Sequence, residues 1–273
     1  MPRLLCKAFV LRSVRYGENR RMLDLLGEND RLISISAAAG RGRSGAAALS
    51  QAFVFGEFEL FETQGRFRFN QGELLHAFLP LSEDFRRLSA AAHLAELFCD
   101  ALRSGQTVAG AYELWAYASQ RLSQSSEPLF DVRIAQYRFL CLLGFSPWLR
   151  DCSICHASFE PGYVFQTHTG GLICPRHPLE ADSGGRLRMS SGLRACLLYL
   201  ADCRVEQLFA FKAEESLKKE VIAFSDRWCE EVMEKKYERL KIAEDLENFS
   251  FQTEVEIRES ERESEKGMKE HEI

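Results

Sequence analysis

The hydrophobic period of the chain changes near Leu81. Before it, apolar residues alternate with polar ones; after it, they recur at helical spacing. Phe9-Val10-Leu11 opens a first strand, Arg15 to Asn19 reads as a turn, and Met22 to Leu26 continues beyond it. Ile33 and Ile35 alternate with Ser34 and Ser36, a half-buried strand. Phe58 and Leu60 alternate with Glu57 and Glu59, whereas Phe53 and Phe55 have the opposite parity. The slip falls at Gly56 and predicts a bulge, the device that bends a strand around a small barrel. Gln64-Gly65 makes a turn, after which Phe67 and Phe69 alternate with Arg66 and Arg68. Five short strands of this kind predict a small barrel of the oligonucleotide-binding (OB) type, although an SH3-like barrel gives nearly the same pattern.

Three helices follow, each with a stop signal. Phe85, Leu88, Ala92, Ala95 and Phe98 form one stripe, ended by Gly105. Leu114, Trp115, Ala118 and Leu122 form the second. Phe130, Ile134, Tyr137 and Cys141 form the third, with Gly144 and Pro147 beyond. Tyr112, Trp115 and Tyr117 read as core and edge packing. Further on, Ser190 or Ser191 caps a helix carrying Leu193, Leu197 and Leu200. Leu217, Val221, Phe224 and Trp228 mark a last helix running towards Leu240. From about Glu247 the stripe is lost. Glu259 to Glu272 is dense in charge and poor in apolar residues, so disorder is expected there.

Between the helical parts, Cys152-x-x-Cys155 and Cys174-x-x-His177 change the picture. A two-residue gap lets a tight turn aim both side chains at one cation, and two such turns supply four ligands. Thiolate and imidazole in tetrahedral geometry suit Zn²⁺. Gly162, Gly170 and Gly171, with Pro161, Pro175 and Pro178, fit knuckles joined by a short hairpin. His156 and His168 rival His177 for the fourth place. Four protein ligands leave no position for water, so one structural ion is expected. The other cysteines, Cys6, Cys99, Cys141, Cys196, Cys203 and Cys229, sit mostly in apolar helical patterns and fit a reducing setting.

The organisation expected is α+β and multidomain. It comprises an OB barrel over 1–80, an all-helical domain over 81–150 and 181–246, a zinc-binding insert over 151–180 and an acidic tail over 247–273. No run of about 18 apolar residues suggests a membrane span.

Charge adds a direction. The net charge of -5 hides 11 Lys/Arg against 8 Asp/Glu in residues 1–78, and 12 against 20 in residues 206–273. The basic third carries Lys7, Arg12, Arg15, Arg20, Arg21, Arg31, Arg66 and Arg68, with Arg41 and Arg43 in the glycine-rich loop Ala39 to Gly45. Arginine on a small barrel, with Tyr16 for stacking, suits nucleic acid. Phe67 and Phe69 oppose the arginines in parity and read as core. No nucleophile elbow, H-E-x-x-H or phosphate-binding loop occurs, so nothing supports a catalytic reading.

The order of these parts resembles the RecO family of DNA repair proteins. The resemblance rests on Tyr16-Gly17-Glu18-Asn19-Arg20-Arg21-Met22-Leu23, on Gly40-Arg41-Gly42-Arg43, on Gln71 to Phe78, on Leu140 to Pro147 and on the Cys/His insert. It covers about residues 5–240. Arg20 stands where the family pattern usually has an acidic residue, and His177 where zinc-bearing members commonly have cysteine. The resemblance implies a non-enzymatic cytoplasmic, nucleoid-associated recombination mediator, monomeric alone. Such a protein binds single- and double-stranded DNA, anneals complementary strands, and helps load RecA onto strands coated by single-stranded DNA-binding protein (SSB). Its partners would be RecR, the SSB C-terminal tail, and RecF and RecA. Two other classes compete: a zinc-containing protein-interaction adaptor without DNA binding, and a metalloenzyme with one replaceable ligand.

Overall fold

The computed structural model describes residues 3–18, 20–38, 46–64, 66–103, 106–177 and 185–246. Arg41 and Arg43 with their loop, the turn residue Gly65, the helix stop Gly105, Pro178 and the tail from Glu247 lie outside the described residues.

Five strands close a barrel in the order β1-β2-β3-β5-β4: β1 Arg3–Tyr16, β2 Arg20–Gly27, β3 Leu32–Ala38, β4 Val54–Thr63 and β5 Arg66–Ala77. All pairs are antiparallel except β3 with β5. The alternation explains the filling. Ala8, Val10, Leu23, Leu25, Ile35, Phe58 and Leu60 point inward with Phe67 and Phe69 packed against them, as their parity predicts. The β4–β5 register does shift beside Gly56, but the extra residue is Leu75 on β5, between His76 opposite Phe55 and Leu74 opposite Gly56, while β4 itself alternates unbroken from Val54 to Leu60 instead of slipping phase at Gly56 as expected. Glycine is required there: a Cβ on Gly56 would sit 2.4 Å from Leu49 and 2.6 Å from the Glu73 carbonyl oxygen. The short helix α1 (Ala46–Leu49) plugs this side of the barrel with Leu49.

Beyond the barrel come α2 (Pro80–Glu83), α3 (Phe85–Leu102), α4 (Ala111–Gln124) and α5 (Pro128–Leu142). Asp84 caps α3, its carboxylate accepting from the Arg86 and Arg87 N–H groups. The stripe expected for α3 needs correction. Phe85, its first residue, is 51% exposed, and the buried side is carried by Ala90, Ala91, Leu94, Leu97, Phe98 and Leu102. In α4 the expected Leu114, Trp115, Ala118 and Leu122 are all buried. Tyr112 packs on the barrel's Phe9, while Tyr117 is exposed.

Helix α5 touches α3, α4, α6 (Ser191–Asp202) and α7 (Glu215–Met233). It is buried continuously from Pro128 to Tyr137, all round rather than on one stripe. Its polar residues are therefore paired: Asp131 with Arg121 at 2.7 Å, and Arg133 with Asp226 at 2.9 Å. Ser190, not Ser191, caps α6 by accepting from the Leu193 N–H. Helix α7 stops at Met233, where Glu234 turns left-handed at φ 49°, short of the Leu240 expected.

Between α5 and α6, four short strands form a sheet in the order β6-β8-β7-β9: β6 Trp148–Cys152, β7 Val164–Gln166, β8 Gly171–Ile173 and β9 Arg186–Arg188. Phe165 packs the sheet onto Phe224 and Trp228 of α7. The chain divides into two units, Met1–Tyr237 and Glu238–Ile273, the second holding a helical turn over 239–246. Among the described residues, no helix is long and apolar enough to cross a membrane.

Candidate nucleic-acid interface and metal centre

Inward and outward parity sort the barrel's arginines. On β1, β2 and β3 the cross-strand partners form rows: Tyr16 opposite Arg20 opposite Ala38, and Val14 opposite Met22 opposite Ser36. Ser36 in turn faces Arg68 of β5. Directly opposed residues point the same way, so Val14, Met22, Ser36 and Arg68 share the outer face, with Tyr16 and Arg20 in the next row. Arg66 lies two residues before Arg68 and is also exposed. Tyr16 is 67% exposed, Val14 48% and Met22 37%, so apolar surface lies open between the cations.

Arg15 faces Arg21 at the same end of the barrel. Arg21 Nε donates to Ser13 Oγ at 2.7 Å, which holds its guanidinium at the mouth. Among the described residues, Arg15, Arg20, Arg66 and Arg68 have no carboxylate within ion-pair distance. Ala38, the last described residue of β3, lies opposite Arg20.

Three of the cations read from sequence stand apart. Arg12 Nε is bonded to Asp24 Oδ2 at 2.8 Å, and Asp24 also accepts from Ser34 Oγ. Lys7 lies 3.6 Å from Glu57 on the β1–β4 side, where Arg3 likewise meets Glu59. Arg31 sits in the β2–β3 turn, seven residues along β2 from Arg20, roughly 24 Å of strand. No sequence signal marked Arg12 as neutralised, because its partner is known only from the strand register.

The second constellation is built from two tight turns. His156 N–H donates to the Cys152 carbonyl, and His177 N–H to the Cys174 carbonyl, closing both knuckles. The ligand atoms of Cys152, Cys155, Cys174 and His177 all lie within 4.8 Å of one another. Cys155 Sγ and Cys174 Sγ are 3.7 Å apart, against about 3.8 Å for two sulfurs on a tetrahedral zinc with 2.3 Å bonds. His177 Nε2 is buried with no hydrogen-bond partner. The rivals point elsewhere: His156 is exposed with Nδ1 3.5 Å from Asp151, and His168 is exposed outside the cluster.

Electrostatics fit a cation. Burial pushes the Cys152 thiol up, but the N–H groups of Cys155, Cys174 and Ile154 outweigh it and bring it to about 6. At Cys155 the Ala157 backbone lowers the thiol, yet desolvation and the sulfurs of Cys152 and Cys174 leave it raised. Thiols this close resist becoming thiolates together until a dication joins them. The cluster can therefore hold a metal ion through three sulfurs and one nitrogen.

Comparison with known proteins agrees with this layout. The family model "Recombination protein O N terminal" matches residues 1–78, the barrel, and "Recombination protein O C terminal" matches residues 82–241. The DNA repair protein RecO of Acetivibrio thermocellus is 28% identical over 251 residues, covering 91% of this chain and 99% of that protein. The RecO of Alkaliphilus metalliredigens is 30% identical over 175 residues, covering 62% and 69%. That of Bacillus subtilis is 27% identical over 172 residues, covering 63% and 67%. With the barrel matched by one family model, and the helices and knuckles by the other, the chain belongs to the RecO family of recombination proteins.

Proposed function

We propose that the chain is a DNA repair and recombination mediator that binds single- and double-stranded DNA through the outer face of β1, β2, β3 and β5. The observation that carries this is the row arrangement of Tyr16, Arg20, Met22 and Arg68. It sets guanidiniums that meet no carboxylate among the described residues beside open apolar surface on an OB-type barrel, the combination a nucleic-acid backbone and its bases require. Arg15 and Arg21 at the barrel mouth, and Arg66, extend the charge; Arg41 and Arg43 join it from the neighbouring loop. Lys7, Arg12 and Arg31 contribute less, being paired or remote. Neutralising phosphates on two strands lowers their repulsion and favours annealing without nucleotide hydrolysis. RecR, RecF, RecA and the SSB tail are the partners this reading assigns, in the cytoplasm, with no enzymatic step. The Cys152, Cys155, Cys174 and His177 cluster holds one structural Zn²⁺. The barrel, the helical layers and the knuckled insert act as separate functional parts of one unit.

The test is binding of fluorescent oligonucleotides over a salt series. Replacing Arg20 and Arg68 together by Ala should weaken single-strand binding about tenfold. It should also reduce the slope of log affinity against log salt by roughly 1.4, that is, about 0.7 for each phosphate no longer neutralised. An unchanged slope would remove these residues from the interface. An adaptor reading has one observation in its favour: Leu74, Leu75, Leu79 and Phe85, close in sequence where β5 leads into α3, are all exposed. Annealing by the intact protein separates it from the mediator reading.

A further inference from the structure

We infer that the sheet β6-β8-β7-β9 of the knuckled insert carries a second single-strand nucleic-acid contact, centred on Trp148. The inference rests on the nucleic-acid reading above and adds a site away from the barrel.

Trp148 faces Gly171, Gly171 faces Gln166, and Gln166 faces Arg186. The indole and Arg186 therefore end one cross-strand row on the same side of the sheet, about 14 Å apart at three strand spacings. Arg188 follows on that side of β9; Gly171 and Gln166 between the two ends of the row are buried, and Arg150 is exposed on β6 within the stretch where its register with β8 shifts. Trp148 is 46% exposed, although the chain's other tryptophans, Trp115 and Trp228, are at 1% and 6%. Its Nε1 donates to Asp151 Oδ1 at 2.9 Å, so the ring is held in place rather than swinging free. His156 Nδ1 lies 3.5 Å from the same Asp151 carboxylate.

The occupant follows from which cations are already satisfied. In the helices, Arg121, Arg133, Arg227, Lys218 and Lys235 all meet carboxylates. Among the described residues, Arg150 and Arg188 have no carboxylate within ion-pair distance. Guanidiniums without acids, beside an exposed and pre-ordered indole, suit alternating phosphates and unstacked bases. A duplex offers no free base face to the ring, so the contact selects single strands. With one strand on the barrel and a second on the insert, one molecule can hold both partners of an annealing reaction.

Tryptophan fluorescence reads this site directly, because only Trp148 is accessible to a base. Titrating the full zinc-loaded chain with oligothymidylate should quench its emission in step with binding measured by anisotropy. Trp148→Phe should abolish most of that quenching. Trp148→Ala should lower single-strand affinity about tenfold with zinc content unchanged. The Arg20/Arg68→Ala variant should still quench at saturating oligonucleotide. Binding without quenching would overturn this site and leave the barrel reading standing, whereas no binding at all would overturn both. Equal quenching by oligoglutamate, which has no base to stack, would overturn it in favour of an acidic protein partner.

Discussion

His93 is the residue whose proton matters most to the helical core. It is 2% exposed, and its Nε2 lies 2.5 Å from Gln136 Oε1. Gln136 spends its amide N–H groups on the Ser225 carbonyl and hydroxyl, so its oxygen must accept and His93 Nε2 must carry the proton. Nδ1 is left bare and unpartnered. Burial pushes the imidazole down to about 4, with Gln136 and Asp226 pulling the other way. Between that value and 6.5 the unfolded chain binds a proton that the folded chain refuses. Stability is therefore full above pH 6.5 and falls as pH drops towards 4, by roughly 3 kcal/mol at the limit. Urea unfolding near neutrality and near pH 5 should show the loss, and His93→Gln should reduce it. The variant comparison subtracts the contribution of the metal centre, whose ligands also take up protons. An unchanged pH slope in His93→Gln would assign the effect elsewhere.

Among the elements, Asp30 ties the barrel to the helices. It sits in the β2–β3 turn at φ 59°, and its carboxylate accepts from the N–H groups of Gly110 and Tyr112 at 3.1 and 2.7 Å. Helix α4 begins with a glycine that has no side chain to cap it, and a residue eighty positions upstream does so instead. Asp30→Ala should cost about 1–2 kcal/mol and lower the melting temperature by about 4 °C. Calorimetry would check this, and a melting point within a degree of the parent would refute the cap. On the proposed reading, the insert would depend on a bound Zn²⁺ in the same way. Cys174→Ala, or chelation, should release about one zinc per chain and remove hydrogen-exchange protection from β6–β9 while the barrel amides keep theirs. Protection that survives metal loss would make the cluster dispensable to the sheet.

Legibility follows from the same elements. The barrel and the inward Phe67 and Phe69 were readable, because period-two alternation records burial directly in the sequence, whereas the extra residue at Leu75 of β5, opposite the Phe55–Gly56 step, was not. The four side chains of the metal cluster were readable because short chelate spacing is local. His156 and His168 could be set aside only once the knuckle turns had directions. Helix α5 was only partly legible: a helix buried all round has no polar face to betray its orientation, and the stripe Phe130, Ile134, Tyr137 and Cys141 left the burial of Arg133 and Gln136 unmarked. The Arg12–Asp24 pair, the Asp30 cap and the exposure of Trp148 depend on register or on contacts eighty residues apart, which no local pattern encodes.

Over the full chain, the chemistry of the cations is uneven. Between Lys7 and Lys212 every Lys/Arg position holds arginine, the residue that both forks onto phosphate and stacks on rings. On the barrel, the β1–β4 side pairs its cations with Glu57 and Glu59, whereas the β1–β2–β3–β5 side leaves Arg20 and Arg68 open. On the proposed reading, bound strands are thereby directed to the Arg20 and Arg68 side and away from Glu57 and Glu59. The mediator reading stands or falls on whether these open arginines bring complementary strands together. Strand annealing with fluorescent complementary oligonucleotides, with and without SSB and without nucleotide, decides it. The zinc-loaded protein should accelerate annealing, and the Arg20/Arg68→Ala variant should lose that acceleration. No acceleration by folded, zinc-loaded protein would contradict the mediator reading.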